Sequence, residues 1–67
     1  MTDEELVAVA LAAAAVRGRG GFDGSRVTRD GAEAEVLLSN SAYARGGGLL
    51  VVIDPVTGVV LRVVPQL

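Results

Sequence analysis

The chain contains neither cysteine nor histidine. Without cysteine it has no disulfide, no thiolate nucleophile and no Cys-ligated zinc site. Without histidine it lacks the commonest general base and the commonest metal ligand. We therefore predict that the protein is not an enzyme and has no catalytic residue, no metal site and no cofactor.

Aromatic residues and lysine are also scarce. Phe22 and Tyr43 are the only aromatic residues, and all six basic residues are arginine. Since 51% of the residues are nevertheless apolar, the core must be built from valine, leucine and alanine. The use of arginine alone indicates a GC-rich genome. The net charge of −2 argues against binding to nucleic acid, which requires a positive field.

The chain has no segment that reads as a membrane helix or an export signal. The apolar segment within residues 5–16 is shorter than the roughly 20 residues that span a bilayer. Asp3, Glu4 and Glu5 stand where a signal peptide would carry positive charge. We expect a cytoplasmic protein without membrane partners, or a domain of a larger one. Its 67 residues amount to one domain, near the lower size limit for folding without cross-links.

Residues 2–17 are predicted to form a helix. Thr2 and Glu5 have the spacing of a capping box, and Gly18 suits the C′ position. A helix with so little polar surface should be covered on two sides or by another chain. The stripe predicted to face the core consists of Leu6, Val9, Ala10, Ala13 and Val16.

The glycine-rich segment 18–25 follows the helix. Its RGRGG sequence allows two functional interpretations, an arginine–glycine nucleic-acid segment or a phosphate-binding loop. It lacks the preceding strand and the Gly-Lys-Ser/Thr ending of a P-loop. We interpret it as a connection between helix and sheet.

Residues 26–29 and 32–39 are predicted to pair as strands around Asp30-Gly31, a strong hairpin turn signal. Glu33 and Glu35 alternate with apolar residues, the period of a half-exposed strand. We expect Arg26 to lie across from these carboxylates. We favour the interpretation that Glu33 and Glu35 lie on a solvated strand face. The alternative is a general acid/base pair or a cation site.

Residues 40–48 form a predicted loop in which Tyr43 and Arg45 are the only large side chains. Tyrosine and arginine are enriched in binding hot spots, so this loop is a candidate recognition surface. The alternative is a tyrosine that packs its ring on the domain edge and leaves its hydroxyl in water.

The second predicted hairpin pairs residues 49–54 with residues 59–64. Pro55 fixes φ at the first corner of the connecting turn, and Gly58 can adopt a positive φ. The first of these strands is apolar at every position from 49 to 53. We therefore expect it to lie inside the sheet with both faces covered.

In the last strand, alternation places Val59, Leu61 and Val63 on one face. Val60, Arg62 and Val64 then share the other face, which a single helix would leave partly bare. The candidate interaction surface therefore comprises Tyr43, Arg45, Val60, Arg62 and Val64. The predicted core is Leu6, Val9, Ala13, Val36, Leu38, Leu50, Val52, Val59, Leu61 and Val63.

The closing hairpin carries the phrase VVIDPVTGVVL, from Val51 to Leu61. With the acidic-capped, alanine-rich helix before it, the chain resembles PepSY-type domains, which are small α+β modules with inhibitory or regulatory roles. The same hairpin is similar to that of small NTF2-like immunity proteins and to the tail of flagellar FlaG proteins. These resemblances imply a non-catalytic module and bring no site residues.

Together these patterns predict an α+β fold, an N-terminal helix packed on a three- or four-stranded antiparallel β-meander. Our first functional hypothesis is a non-catalytic protein-interaction module, such as a small accessory, inhibitory or immunity-type protein. The alternative is a self-associating structural protein, most simply a dimer formed through a sheet face or edge. A third hypothesis is small-ligand binding at the loop of Tyr43 and Arg45.

Overall fold

A computed structural model of the chain describes residues 1–41 and 47–66. The strands lie in the order β1-β2-β3-β4, each antiparallel to its neighbour, and the helix contacts all four. This confirms the predicted α+β fold, with a sheet of four strands. The elements are α1 (Asp3–Val16), β1 (Gly24–Asp30), β2 (Glu33–Ser39), β3 (Leu49–Ile53) and β4 (Val60–Pro65).

The ends of α1 are capped as the sequence predicts. The Thr2 hydroxyl accepts the backbone N–H of Glu5 at 3.2 Å, and the Glu5 carboxylate accepts that of Thr2 at 2.7 Å. The hydrogen bonds that the Glu5 carboxylate accepts from Thr2, chiefly from the Thr2 backbone N–H, lower the pKa of Glu5. At the other end Gly18 has φ +73°, and the Arg19 N–H returns to the Ala14 carbonyl at 2.8 Å. This is a Schellman motif with Gly18 at C′.

The helix faces the sheet along a line of every fourth residue. Leu6, Ala10 and Ala14 are fully buried, and the two alanines let the helix backbone approach the strands closely. Val16, predicted to face the core, is 89% exposed. That prediction was wrong because position 16 lies on the side of the helix away from this line.

The β1–β2 hairpin has a two-residue turn at Gly31 and Ala32, closed by the pair Asp30–Glu33. Gly31 has φ +60° and Ala32 a negative φ, the signature of a type II′ turn. The turn is thus one residue later than predicted. Arg26 lies opposite Leu37 rather than opposite the two glutamates, which corrects that expectation.

The core lies between α1 and one face of the sheet, the inner face. Its strand residues lie side by side on β2 and β3, where Val36 is opposite Val51. Half-buried Val9, Ala13, Val27 and Val63 pack around them. The buried core residues are Leu6, Ala10, Ala14, Ala34, Val36, Leu38, Leu49, Val51 and Ile53.

The β3–β4 turn forms as predicted around Pro55 and Gly58. Asp54 Oδ1 accepts the N–H of Val56 at 2.9 Å, and the Asp54 carbonyl accepts that of Gly58 at 2.8 Å. Gly58 has φ +76°, a conformation that other L-residues rarely adopt.

A β-bulge changes the alternation of β4. Val60 pairs with Ile53 and Arg62 pairs with Val52, so Leu61 is the extra residue between them. Val60 therefore packs against the core. The prediction that Val60 shares a face with Arg62 and Val64 was wrong because the bulge interrupts the alternation. Val59 and Leu61, predicted to be buried, are 55% and 45% exposed.

Candidate interaction surface

The face of the sheet turned away from α1 carries a row of aliphatic side chains. Leu50 on β3 lies directly between Leu37 on β2 and Val64 on β4. Val52 follows Leu50 on the same face, two residues along the strand. We call Leu37, Leu50, Val52 and Val64 the outer patch.

Members of the outer patch differ in their contact with solvent. Val64 is 41% exposed, and Leu37 and Leu50 are half-buried by their neighbours. Val52 is only 1% exposed, although it is not part of the cluster under the helix. Its cover must therefore come from side chains of the outer face itself.

An ion pair lies across β3 next to Val52. Arg62 on β4 donates to the two carboxylate oxygens of Glu33 on β2, at 2.9 and 3.4 Å. Because β3 lies between these strands, the pair spans β3 beside Val52. The hydrogen bonds to Glu33, with its negative charge, raise the pKa of Arg62, so the guanidinium stays charged. Both side chains remain about half exposed, so they can be displaced.

The rim of the outer patch carries both signs of charge. Arg26 on β1 lies directly opposite Leu37, at the β1 edge of the sheet, and Glu35 on β2 lies directly opposite Val52. With the Arg62–Glu33 pair and Asp30, which lies opposite Glu33, the outer face carries two cations and three carboxylates. A surface of this composition favours a partner with mixed charges over one that is strongly acidic or basic.

The clefts of the molecule lie away from the outer patch. One of about 280 Å³ lies where the glycine-rich connection meets the end of β2, lined by Arg19, Phe22 and Asn40 among others. There the Arg19 guanidinium donates to the Gly47 carbonyl at 3.0 Å and lies 6.0 Å from the centre of the Phe22 ring. Two more clefts follow the line between α1 and β1.

The sequence-predicted surface residues fall in three places. Tyr43 and Arg45 lie outside the described residues. Val60 contributes to the core, whereas Arg62 and Val64 lie on the outer face. Sequence reasoning missed Leu37, although the unbroken apolar run from Val36 to Leu38 already showed that β2 has apolar residues on both faces. It also placed Leu50 and Val52 in the core, which was wrong because both lie on the outer face.

Within residues 1–41 and 47–66, no group of three or more histidine, cysteine, aspartate or glutamate side chains is arranged to hold a metal ion. No helix there has the length and apolar character needed to cross a membrane.

No protein-family model matches the sequence, and no curated protein and no solved structure shows significant similarity to it. The resemblance to PepSY-type domains and to the closing hairpins of immunity and flagellar proteins therefore stays a prediction.

Proposed function

We propose that the protein is a non-catalytic protein-interaction module that binds its partner through the outer patch. One observation carries the proposal. Strand β3 is apolar at all five positions, but α1 covers only the side chains of Leu49, Val51 and Ile53. Leu50 faces outward and is only half-buried, although a strand of this composition is normally covered on both faces. Burying aliphatic area releases about 25 cal/mol per Å², which favours docking there.

Self-association is the second candidate function, favoured by the shape and charge of the same face. A flat aliphatic face packs well against another sheet at about 10 Å separation. A second copy presents such a sheet. Its rim also carries charges of both signs, which can pair with Arg26, Glu35 and the Arg62–Glu33 pair of the first copy. From strand spacing and rise, the face covers about 400 Å² in projection, so a dimer would be at the small end of specific interfaces.

The test compares the mass in solution of the full chain and two variants by light scattering over a concentration series. Leu50→Glu places a charge in the middle of the outer patch. Val56→Glu, in the exposed β3–β4 turn, is the matched control. If the outer patch mediates self-association, the wild type and Val56→Glu form dimers, whereas Leu50→Glu stays monomeric with an unchanged circular dichroism spectrum.

A monomeric wild type rejects self-association and leaves heterotypic binding to be tested. The three chains are then used as bait for crosslinking in the source cell extract. A protein captured by the wild type and by Val56→Glu but not by Leu50→Glu supports the outer patch. Equal capture by all three, or dimers that Leu50→Glu does not disrupt, contradicts it.

A further inference from the structure

The two edge strands of the sheet differ in how open they are to pairing. Strand β4 has a bulge at Leu61 and ends at Pro65, which has no N–H, and both features discourage a further strand. Strand β1 has neither. It pairs with β2 in unbroken register over all seven residues, from Gly24 to Asp30. Of the two edges, β1 is the regular one.

The hairpin turn determines which backbone groups of β1 point away from the sheet. The turn makes Asp30–Glu33 a hydrogen-bonded pair, and pairs alternate along an antiparallel ladder. Arg26 and Thr28 therefore bond inward to β2, while the N–H and C=O groups of Ser25, Val27 and Arg29 point outward. These groups form the row that an added strand would use.

A groove runs beside this edge, between α1 and β1. It consists of a cleft of about 420 Å³ and an adjoining one of about 160 Å³, which share Val7 and Ser25. Because α1 is centred over β2 and β3, the inner side of β1 is only partly covered. The floor of this α1/β1 groove is apolar, formed by Val7, Leu11, Phe22 and Val27.

The rim of the α1/β1 groove is acidic. Asp3 and Glu4 stand at one end and Asp23 at the other. Arg29 is the basic group at this rim, and it is engaged with Asp3 at 2.9 Å and with the Met1 carbonyl at 2.9 Å. Asp23 accepts hydrogen bonds from the backbone and side chain of Ser41. An occupant with lysine or arginine would complement these carboxylates.

We propose that β1 and the α1/β1 groove bind an extended segment of a partner protein, which adds a fifth strand to the sheet. Main-chain hydrogen bonds to Ser25, Val27 and Arg29 supply affinity. Alternate apolar side chains of the segment enter the groove, and a lysine or arginine meets Asp3, Glu4 or Asp23. The outer patch lies on the opposite face of the sheet, so this site is distinct from the one in the proposed function.

The experiment selects binders from a phage-displayed library of random peptides on the immobilised full chain. The expected consensus alternates apolar residues and includes lysine or arginine. Amide signals of Ser25, Val27 and Arg29 should shift when a selected peptide is titrated in NMR. The proposal would be overturned if no peptide is enriched, or if the apolar residues of the selected peptides recur every three or four positions, as in a helix. Amide shifts confined to the outer patch would also overturn it.

Ser25→Pro removes one outward N–H and leaves the ladder to β2 intact. Losing one hydrogen bond of about 1 kcal/mol should weaken binding of the selected peptide about fivefold. Thr28→Ala, on the same strand, and Leu50→Glu, on the outer patch, should bind it unchanged. Equal affinity of Ser25→Pro, with an unchanged melting temperature, contradicts a strand-addition site.

The same variants separate this site from the proposed function. Self-association lost in Leu50→Glu, with peptide binding kept, leaves both proposals standing. Self-association that Ser25→Pro abolishes and Leu50→Glu does not would show β1 pairing with a second copy. That result overturns the peptide proposal and the outer patch together.

Discussion

The two faces of the sheet use the same aliphatic residues in opposite ways. On the inner face, residues such as Val36, Val51 and Ile53 are completely buried in the core beneath α1. On the outer face, Leu37, Leu50 and Val64 keep contact with water. Adjacent residues of one strand therefore differ in environment: one face forms the buried core, and the other stays partly exposed to water.

The largest expected effect comes from neighbouring leucines on opposite faces of β2. Leu38→Ala opens a cavity in the core and should lower the free energy of unfolding by about 2–5 kcal/mol. Leu37→Ala leaves its site to water and should cost about 1 kcal/mol. Urea unfolding of both variants measures the difference. Equal losses would mean that the outer face is as well packed as the inner one.

Val51 and Val52 provide a second comparison, since both are at most 1% exposed. Val51→Ala should cost about 2 kcal/mol, because packed neighbours on both sides cannot close the cavity. Val52→Ala should cost less, because the displaceable side chains above it can move in. Thermal unfolding measures both variants. A larger loss of stability for Val52→Ala than for Val51→Ala would contradict the idea that the side chains above Val52 can move.

The Arg62–Glu33 pair gives a smaller effect. Exposed ion pairs weaken as salt screens them, so part of the wild-type stability should be lost between low and high salt. Glu33→Gln keeps the shape of the side chain but removes the charge, so this salt dependence should shrink. Urea midpoints at both salt concentrations measure it. Unchanged salt dependence would show that the pair contributes nothing.

The smallest effect depends on pH, to which aliphatic contacts do not respond. Hydrogen bonds from Ser41 lower the pKa of Asp23 below its usual value of 3.8. The ionised carboxylate thus stabilises the fold above that value, and the contribution disappears as the pH falls through the lower, folded-state pKa. Ser41→Ala should reduce this acid sensitivity. Melting temperatures from pH 6 to pH 2 test this, with Ser39→Ala as a control.

Local signals predicted most of the fold. The capping box of Thr2 and Glu5, the C′ glycine at position 18 and the turn at Gly58 all depend on neighbouring residues, and all form as expected. The bulge at Leu61 was not predictable, because it depends on pairing with β3 rather than on the β4 sequence. It moved Val60 into the core and left Leu61 exposed.

The candidate surfaces were predicted less well than the fold. Alternation in β4 correctly placed Arg62 and Val64 on the outer face beyond the bulge. The ion pair over β3 links positions 29 residues apart, and the groove beside β1 depends on where the helix sits above the sheet. Both are properties of the assembled layers, so no short sequence pattern contains them.

The unequal edges of the sheet also limit how many further strands can pair with it. A sheet with two regular edges can add strands at both sides and grow without limit, as in a fibre. Here the bulge and Pro65 restrict β4, so regular pairing is left to β1 alone. A second copy that pairs through its own β1 uses up that edge on both chains and leaves only the two restricted β4 strands outermost. The geometry that allows one association therefore also ends it.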